Sequence, residues 1–256
     1  RRVLFRSLPD GLDVALCGSG SPMPDATRSG QCVMVIAGRH VYIVDAGEGG
    51  PRKIALMGVQ PGLVDGVFLT HFHSDHIDGL GELLLQRWAN GGHSSPVPLY
   101  GPSGVEEVAR GFEIAYRLDD GYRVAHHGAA LVPPGGAGAV ARPFATPTDG
   151  VGAVVWDVDG VKVTAFRVDH ATVEPAVGYR FDYGGRSVVL SGDTVKSANL
   201  EAFARGADLL IHEALAPHLV ERITAAAEAA GNHRIAQITR SEEHTSELQS
   251  HVRISY

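Results

Sequence analysis

The sequence predicts an α/β fold in which sheets are covered by helices. Short apolar segments rich in β-branched residues, each bounded by glycine, proline or aspartate, recur along the chain and indicate strands. Other segments place apolar residues three or four positions apart, which is typical of amphipathic helices. Strands predominate first and then alternate with helices, and this order favours helix-covered sheets over an all-β sandwich.

The predicted strands occupy residues 33–37, 41–45, 64–70, 97–100, 154–156, 161–168, 178–183, 187–191 and 208–212. Helices are predicted at residues 80–88, 105–116, 199–205 and 219–230. Asp159-Gly160 and Gly184-Gly185 each separate two predicted strands and predict β-hairpins, because these residue types accept the positive φ angles of tight turns. The stretch 126–152 is rich in glycine, proline and alanine with little periodicity, and predicts a long loop.

Composition limits the class of protein. The chain has 256 residues and a formal net charge of -7, with no basic run that would indicate nucleic-acid binding. Its two cysteines, Cys17 and Cys32, are too few for a disulfide framework and are expected to pack as small core residues. No apolar run approaches the roughly 20 residues of a membrane helix. The unusual number is 13 histidines, which directs attention to imidazole chemistry.

The two ends differ from the rest of the sequence. Residues 240–256 are polar without helical or strand periodicity, and both this segment and residues 1–7 resemble translated sequencing adapters. We therefore expect a single domain over residues 8–239, truncated at its C-terminus and flanked by non-native sequence. Because the native N-terminus would be missing, localisation is left open between the cytoplasm and export.

A cluster of potential metal ligands lies in the segment LTHFHSDH, between a predicted strand and a predicted helix. If the chain leaves the strand extended, His71 and His73 point the same way and offer two imidazoles to one ion. Asp75 and His76, turned by the start of the helix, can face a second ion. Imidazole with carboxylate suits zinc, and manganese or iron is tolerated. The alternative is a surface histidine cluster at the start of a helix.

The segment HFHSDH resembles the HxHxDH signature of the metallo-β-lactamase fold superfamily, and the other motifs are similar to its ribonuclease Z and arylsulfatase-like branch. The further matches follow in order: GSGSPMP at 18–24, VDAG at 44–47, DH at 169–170 with GYR at 178–180, SGDT at 191–194, and HEA at 212–214. This resemblance implies an αββα four-layer sandwich with two metal ions, expected to be zinc, at the edge of the sheets.

The resemblance also implies a ligand set. It assigns the first ion to His71, His73 and His170, the second ion to Asp75 and His76, and the bridging position to Asp193. The branch normally adds a C-terminal histidine, which has no counterpart in residues 8–239. His244 imitates a branch motif but lies in the adapter-like tail, so the second site is expected to be one ligand short.

A metal-dependent hydrolase of ester bonds follows from this resemblance, with metal-bound hydroxide as the nucleophile. Asp75 would orient the hydroxide and accept its proton, and His212 beside Glu213 would protonate the leaving group. Asp45 would hold a ligand histidine through a hydrogen bond. A packed strand-end histidine and a turn-forming aspartate are the alternatives for His212 and Asp45.

Three substrate classes compete for such a site. We rank a small phosphodiester or sulfate ester first, a ribonuclease Z-type tRNA 3′-end endonuclease second, and a lactone or thioester third. In one main type of ribonuclease Z an arm that clamps tRNA is inserted between the third and fourth motifs, whereas here residues 181–190 leave room only for a hairpin. The chain is also acidic, so tRNA is the less favoured partner. A homodimer is left open.

Overall fold

The structure is a computed structural model that describes residues 9–170 and 172–246. Its strands are β1 (Leu12–Gly18), β2 (Cys32–Ala37), β3 (His40–Val44), β4 (Val64–Phe68), β5 (Val97–Pro102), β6 (Ala139–Phe144), β7 (Ala153–Val158), β8 (Val161–Arg167), β9 (Val177–Tyr183), β10 (Arg186–Leu190) and β11 (Leu209–Ile211). Its α-helices are α1 (Gly50–Leu56), α2 (Ser74–Ile77), α3 (Leu80–Gly91), α4 (Val105–His127), α5 (Ala198–Ala204), α6 (Pro217–Ala229) and α7 (His233–Ser246). Short 3-10 helices occupy Pro61–Leu63 and Pro134–Gly136.

Two mixed sheets pack face to face. One has the order β1-β2-β3-β4-β5-β6, antiparallel from β1 to β3 and parallel from β3 to β6. The other has the order β11-β10-β9-β8-β7, with only β10 and β11 parallel. Buried aromatic rings join the facing surfaces, and Phe68 of β4 lies edge-on to Tyr179 and Phe181 of β9. Burying these apolar faces against each other provides the main hydrophobic stabilisation of the sandwich.

Helices cover both outer faces of the sandwich. On the six-stranded sheet, Ile54 of α1, Leu83 of α3 and Val105 of α4 belong to one buried cluster with residues of the strands below them. On the five-stranded sheet, Phe203 of α5 stacks on Phe166 with ring centroids 4.6 Å apart. The layers therefore run helix, sheet, sheet, helix, and the predicted αββα fold is confirmed.

Both predicted hairpin turns are confirmed. Asp159 and Gly160, which join β7 to β8, have φ angles of 53° and 79°, and Gly184 and Gly185, which join β9 to β10, have φ angles of 58° and 77°. Positive φ at both central positions matches the right-handed twist of the flanking strands.

The predicted long loop at 126–152 is wrong in its middle part. β6 runs through it and pairs in parallel with β5 at the edge of the six-stranded sheet. Because β6 lies at the edge of the sheet, it tolerates Pro143, whose nitrogen cannot donate a hydrogen bond to a neighbouring strand. Proline within the segment hides the usual sequence signature of a strand. The sequence also did not predict β1, or the extension of α4 to His127.

Cys17 and Cys32 are buried, as expected, but the structure also joins them in a disulfide. Leu16 pairs with Val33 and Gly18 pairs with Cys32, so Cys17 is the additional residue of a β-bulge between β1 and β2. The bond lies at the base of the connection formed by residues 19–31.

Two further observations concern the ends and the helices. Residues 1–7 and 247–256, which belong to the segments predicted to be non-native, lie outside the described residues, and α7 continues past residue 240 to Ser246. In the described part of the chain no helix combines the length and the hydropathy needed to cross a bilayer.

Candidate metal centre

Histidine and aspartate side chains from three chain segments meet at one edge of the sandwich. His71 and His73 follow the end of β4, and α2 then carries Asp75 and His76. The other two side chains follow the ends of β8 and β10 and are His170 and Asp193. The structure thus brings together all six side chains that the sequence predicted as metal ligands.

Three imidazole nitrogens converge on one point. His71 Nε2 lies 3.1 Å from His73 Nδ1, and His170 Nε2 lies 3.4 Å from the same atom. Donor atoms of these histidines and of Asp193 all lie within 4.8 Å of one another. Four ligands at about 2.0–2.1 Å in a tetrahedron stand about 3.3 Å apart, so the nitrogen spacing fits a zinc-sized ion.

A second group of donors adjoins the first. His76 Nε2 is 3.7 Å from Asp75 Oδ2 and 3.4 Å from Asp193 Oδ1, while the other oxygen of Asp193 lies 4.0 Å from His170 Nε2. The Asp193 carboxylate therefore faces both groups. His76 Nε2 is buried without a hydrogen-bond partner of acceptable geometry, which is costly unless a cation takes that place.

Asp45 supports this cluster through hydrogen bonds to Thr70 and His76. It is buried, with a φ angle of 58°, and its Oδ1 accepts a hydrogen bond from the Thr70 backbone N–H at 2.8 Å. Its Oδ2 accepts hydrogen bonds from the Thr70 hydroxyl at 2.8 Å and from His76 Nδ1 at 2.9 Å. Because Asp45 binds the Nδ1 side of His76, Nε2 is the ring nitrogen that faces the cluster and that a cation would bind.

Thr70 extends the same control to His71. The Thr70 hydroxyl donates to Asp45 and therefore accepts from His71 Nδ1, which lies 3.0 Å away. This proton placement leaves His71 Nε2 with its lone pair toward the other imidazoles. The sequence interpretation gave Thr70 no role, although its position between the strand and HFHSDH was the signal that pointed to one.

Burial and charge set the protonation of the cluster. Burial lowers the pKa of His71 to about 2 and also lowers the pKa of His170, so both imidazoles are neutral. Burial raises the pKa of Asp75. For His76 the carboxylates of Asp45 and Asp193 outweigh burial and raise the pKa well above its usual value. Against the effect of its own burial, contact with His76 lowers the pKa of Asp193 to about 2.

The turn that carries Asp193 is fixed by contacts that sequence reasoning missed. Thr194 is fully buried, and its hydroxyl accepts a hydrogen bond from the Asp169 N–H at 3.0 Å. Gly192 has a φ angle of 60°, and a Cβ there would stand 2.8 Å from Thr70 Cβ. Both residues hold the turn close to the segments that carry His170 and His71, so the donors keep their spacing.

His212, predicted as the general acid, and its neighbour Glu213 lie in the wall of a cavity beside the metal centre. His212 and Glu213 line this cavity, of about 310 Å³, together with His76 and Asp193. His212 Nδ1 donates to the Glu213 carbonyl at 2.7 Å, and the Glu213 carboxylate accepts from the Thr194 N–H. Glu213 thus braces the Asp193 turn, and the catalytic roles of both residues stay predictions.

Comparison with known proteins extends this description. Residues 26–235 match the metallo-beta-lactamase superfamily. The chain is 41% identical over 214 residues to the ribonuclease Z of Mycobacterium avium, covering 83% of this chain and 73% of that protein. It is 38% identical over 214 residues to the ribonuclease Z of Mycobacterium bovis, with the same coverage of 83% and 73%.

Among solved structures, the short form of human tRNase Z shares the fold, with a TM-score of 0.63 and 23% identity over 88% of each chain. The match to the superfamily spans most of the chain, the layers are those of its fold, and the donor cluster suits metal ions. The chain belongs to the metallo-β-lactamase superfamily and is a metal-dependent hydrolase with ribonuclease Z proteins among its relatives.

Proposed function

We propose that this protein is a ribonuclease Z-type endonuclease that hydrolyses a phosphodiester bond at the 3′ side of precursor tRNA. The observation that carries the proposal is the 41% identity to a ribonuclease Z across 83% of the chain. The donor cluster supports it, because phosphodiester hydrolysis by paired cations needs imidazole and carboxylate ligands at this kind of spacing.

The comparisons move tRNA ahead of the small ester that the sequence alone favoured. The small ester stays as a second candidate because of one observation: a tight hairpin through Gly184 and Gly185 joins β9 to β10, and no arm is inserted there. No contact in the described residues favours a lactone or a thioester over these two classes.

For the metal ions we propose the ligand set that the donors fit. His71, His73 and His170 would hold one ion, Asp75 and His76 would hold the other, and Asp193 would contact both. When bound, two divalent cations stabilise negative charge on the phosphoryl oxygens and lower the pKa of water. Zinc suits these donors, with manganese or iron as alternatives.

The chain's own groups would manage the protons of the reaction. A water oxygen bonds to phosphorus, the bond from phosphorus to one ribose oxygen breaks, and that oxygen takes up a proton. Asp75, whose pKa burial raises, would accept the proton of the attacking water. His212 would deliver a proton to the leaving oxygen through Nε2, because its Nδ1 is committed to the Glu213 carbonyl.

The decisive experiment compares substrates on the purified, zinc-loaded chain. We expect a precursor tRNA with a 3′ trailer to be cut at one position, and bis(p-nitrophenyl) phosphate to be hydrolysed more slowly. Hydrolysis of the aryl phosphodiester or of p-nitrophenyl sulfate with intact precursor tRNA would reject the tRNA proposal in favour of the small ester.

A matched pair of histidine variants ties the activity to the cluster. His73→Ala removes a nitrogen on which the other two imidazoles converge, and we expect cleavage to fall to background with loss of bound zinc. His126→Ala changes an exposed histidine of α4 and should leave both properties as in the parent chain. Equal activity of the two variants would contradict the assignment of the centre.

A further inference from the structure

An acidic chain that acts on RNA needs cations close to its reactive centre, because affinity for RNA depends on neutralising backbone phosphates. Two cavities, each of about 310 Å³, open beside the metal centre. Among the described residues that line them, Arg28 is the only lysine or arginine, and it belongs to both walls. Arg28 also lines a third cavity of about 220 Å³, in which Arg52 and Lys53 of α1 join it.

The Arg28 side chain is oriented by its own loop. Its Nε donates to Asp25 Oδ2 at 2.8 Å, and its Nη2 lies 2.7 Å from the same oxygen. The other oxygen of Asp25 accepts from the backbone N–H groups of Thr27 and Arg28 at 2.8 and 3.0 Å. An arginine has five N–H donors in a planar fork, so the contacts with Asp25 leave donors for a ligand. The side chain is 60% exposed to solvent.

Backbone contacts connect this loop to the metal centre. The N–H groups of Ser19 and Gly20 both donate to the Ser29 carbonyl, which folds the loop back on itself. The Gln31 N–H donates to the carbonyl of Asp75 at 3.0 Å, and the Gly30 N–H donates to the carbonyl of Glu48, just before α1. Arg28 is therefore held between the metal centre and the two basic residues of α1.

Two acidic residues also line the third cavity and have to be weighed. Asp25 is bound to Arg28 and to backbone N–H groups, and these contacts hold its pKa well below the usual range. Glu48 is the second acidic residue, and the same cavity is lined by three cationic side chains, those of Arg28, Arg52 and Lys53. The lining is therefore net positive on a chain whose overall charge is -7.

We propose that Arg28, Arg52 and Lys53 form a subsite for the backbone phosphates of RNA next to the bond that is cut. The inference rests on the proposed function. Arg28 would bind the phosphate nearest the metal centre in its planar fork, and the exposed cations of α1 would bind the phosphates that follow. These are positioning contacts, and they carry no sequence preference.

The test measures how RNA affinity depends on salt. Fluorescence anisotropy gives the Kd of a labelled precursor tRNA at several salt concentrations for the parent chain and for the double variant Arg52→Gln/Lys53→Gln. Each lost phosphate contact should reduce the slope of log Kd against log salt by about 0.7–0.9, or about 1.4–1.8 for the pair. Arg28→Gln should reduce the slope by about 0.7–0.9 and raise KM for cleavage more than it lowers kcat, with partial rescue by Arg28→Lys.

The control removes the same charge from another helix. Arg110→Gln/Arg117→Gln changes two exposed arginines of α4, which line none of the three cavities that Arg28 lines, and should leave the slope unchanged. Equal slopes for the parent chain and Arg52→Gln/Lys53→Gln, or equal reductions in both double variants, would overturn the subsite while single-site cleavage still supports the proposed function. If the parent chain binds the RNA without cutting it, the proposed function fails and the slopes still decide the subsite. An absence of RNA binding would reject both.

Discussion

Replacing Asp45 with asparagine should weaken metal binding without disturbing the fold. The change keeps the shape of the side chain, and asparagine tolerates the left-handed backbone conformation at this position, where φ is 58°. With its oxygen at the Oδ1 position, the amide can still accept from the Thr70 N–H. At the Oδ2 position an NH₂ group would face two donors, the Thr70 hydroxyl and His76 Nδ1, and both contacts would be lost.

The size of the effect follows from these contacts. Removing a hydrogen-bond partner that orients a metal-binding histidine typically costs 10- to 100-fold in affinity, or about 1.4–2.7 kcal/mol. Two contacts are lost here and they reach two different histidines, so we expect the upper end, roughly 100-fold weaker zinc binding. Competition for zinc with a coloured chelator measures this ratio directly.

Asp65→Asn is the matched control for this experiment. Asp65 also accepts hydrogen bonds from a backbone N–H and a histidine, those of Val41 at 3.0 Å and His40 at 3.3 Å, but it does so at the start of β4, outside the donor cluster. Its zinc affinity should equal that of the parent chain. Equal affinities of the Asp45 and Asp65 variants would refute the argument that Asp45 orients the ligands.

Three further changes test other parts of the structure. Thr70→Val keeps the side-chain shape but removes the hydroxyl between Asp45 and His71, so zinc affinity should fall roughly 10-fold, as a chelator titration would show. Thr194→Val removes the contact with Asp169, and we expect kcat to fall while the circular dichroism spectrum is retained; an unchanged kcat would count against the bracing role. Reducing the bond between Cys17 and Cys32, or replacing both with serine, should lower the free energy of unfolding in urea by about 3 kcal/mol, because the sequence separation is 15 residues. Detection of two thiols in the denatured, unreduced chain would contradict that bond.

The ligand cluster could be predicted from the sequence where its members are close along the chain. His71, His73, Asp75 and His76 lie within six positions, and the change from extended strand to helix decides which way each side chain points. His170 and Asp193 followed from the resemblance of their motifs, since nothing in their local sequence distinguishes a ligand from a strand-end residue.

A supporting role was predicted for Asp45, but not which histidine it holds, and the other supporting contacts could not be predicted, because they join residues that are far apart in the sequence. The Asp45 carboxylate meets His76 across 31 positions, and the Asp169 N–H meets Thr194 across 25 positions. Such pairs depend on which strand ends share an edge, and this is a property of the sheet order. Arg28 was also missed, because a single arginine in a polar loop looks like any solvated residue until the structure shows the cavities that it lines.

The network around Asp45 also links the two proposed ions. The carboxylate orients His76 by direct contact and His71 through the Thr70 hydroxyl, and these histidines belong to different ligand groups. One buried carboxylate therefore sets the proton positions of one imidazole in each group. Asp193, which faces both groups from the opposite side, supplies the second link. Loss of Asp45 should therefore weaken both metal sites together, whereas loss of the Thr70 hydroxyl should weaken first the group that contains His71. We expect the centre to behave as one unit because its ligands share their supporting residues.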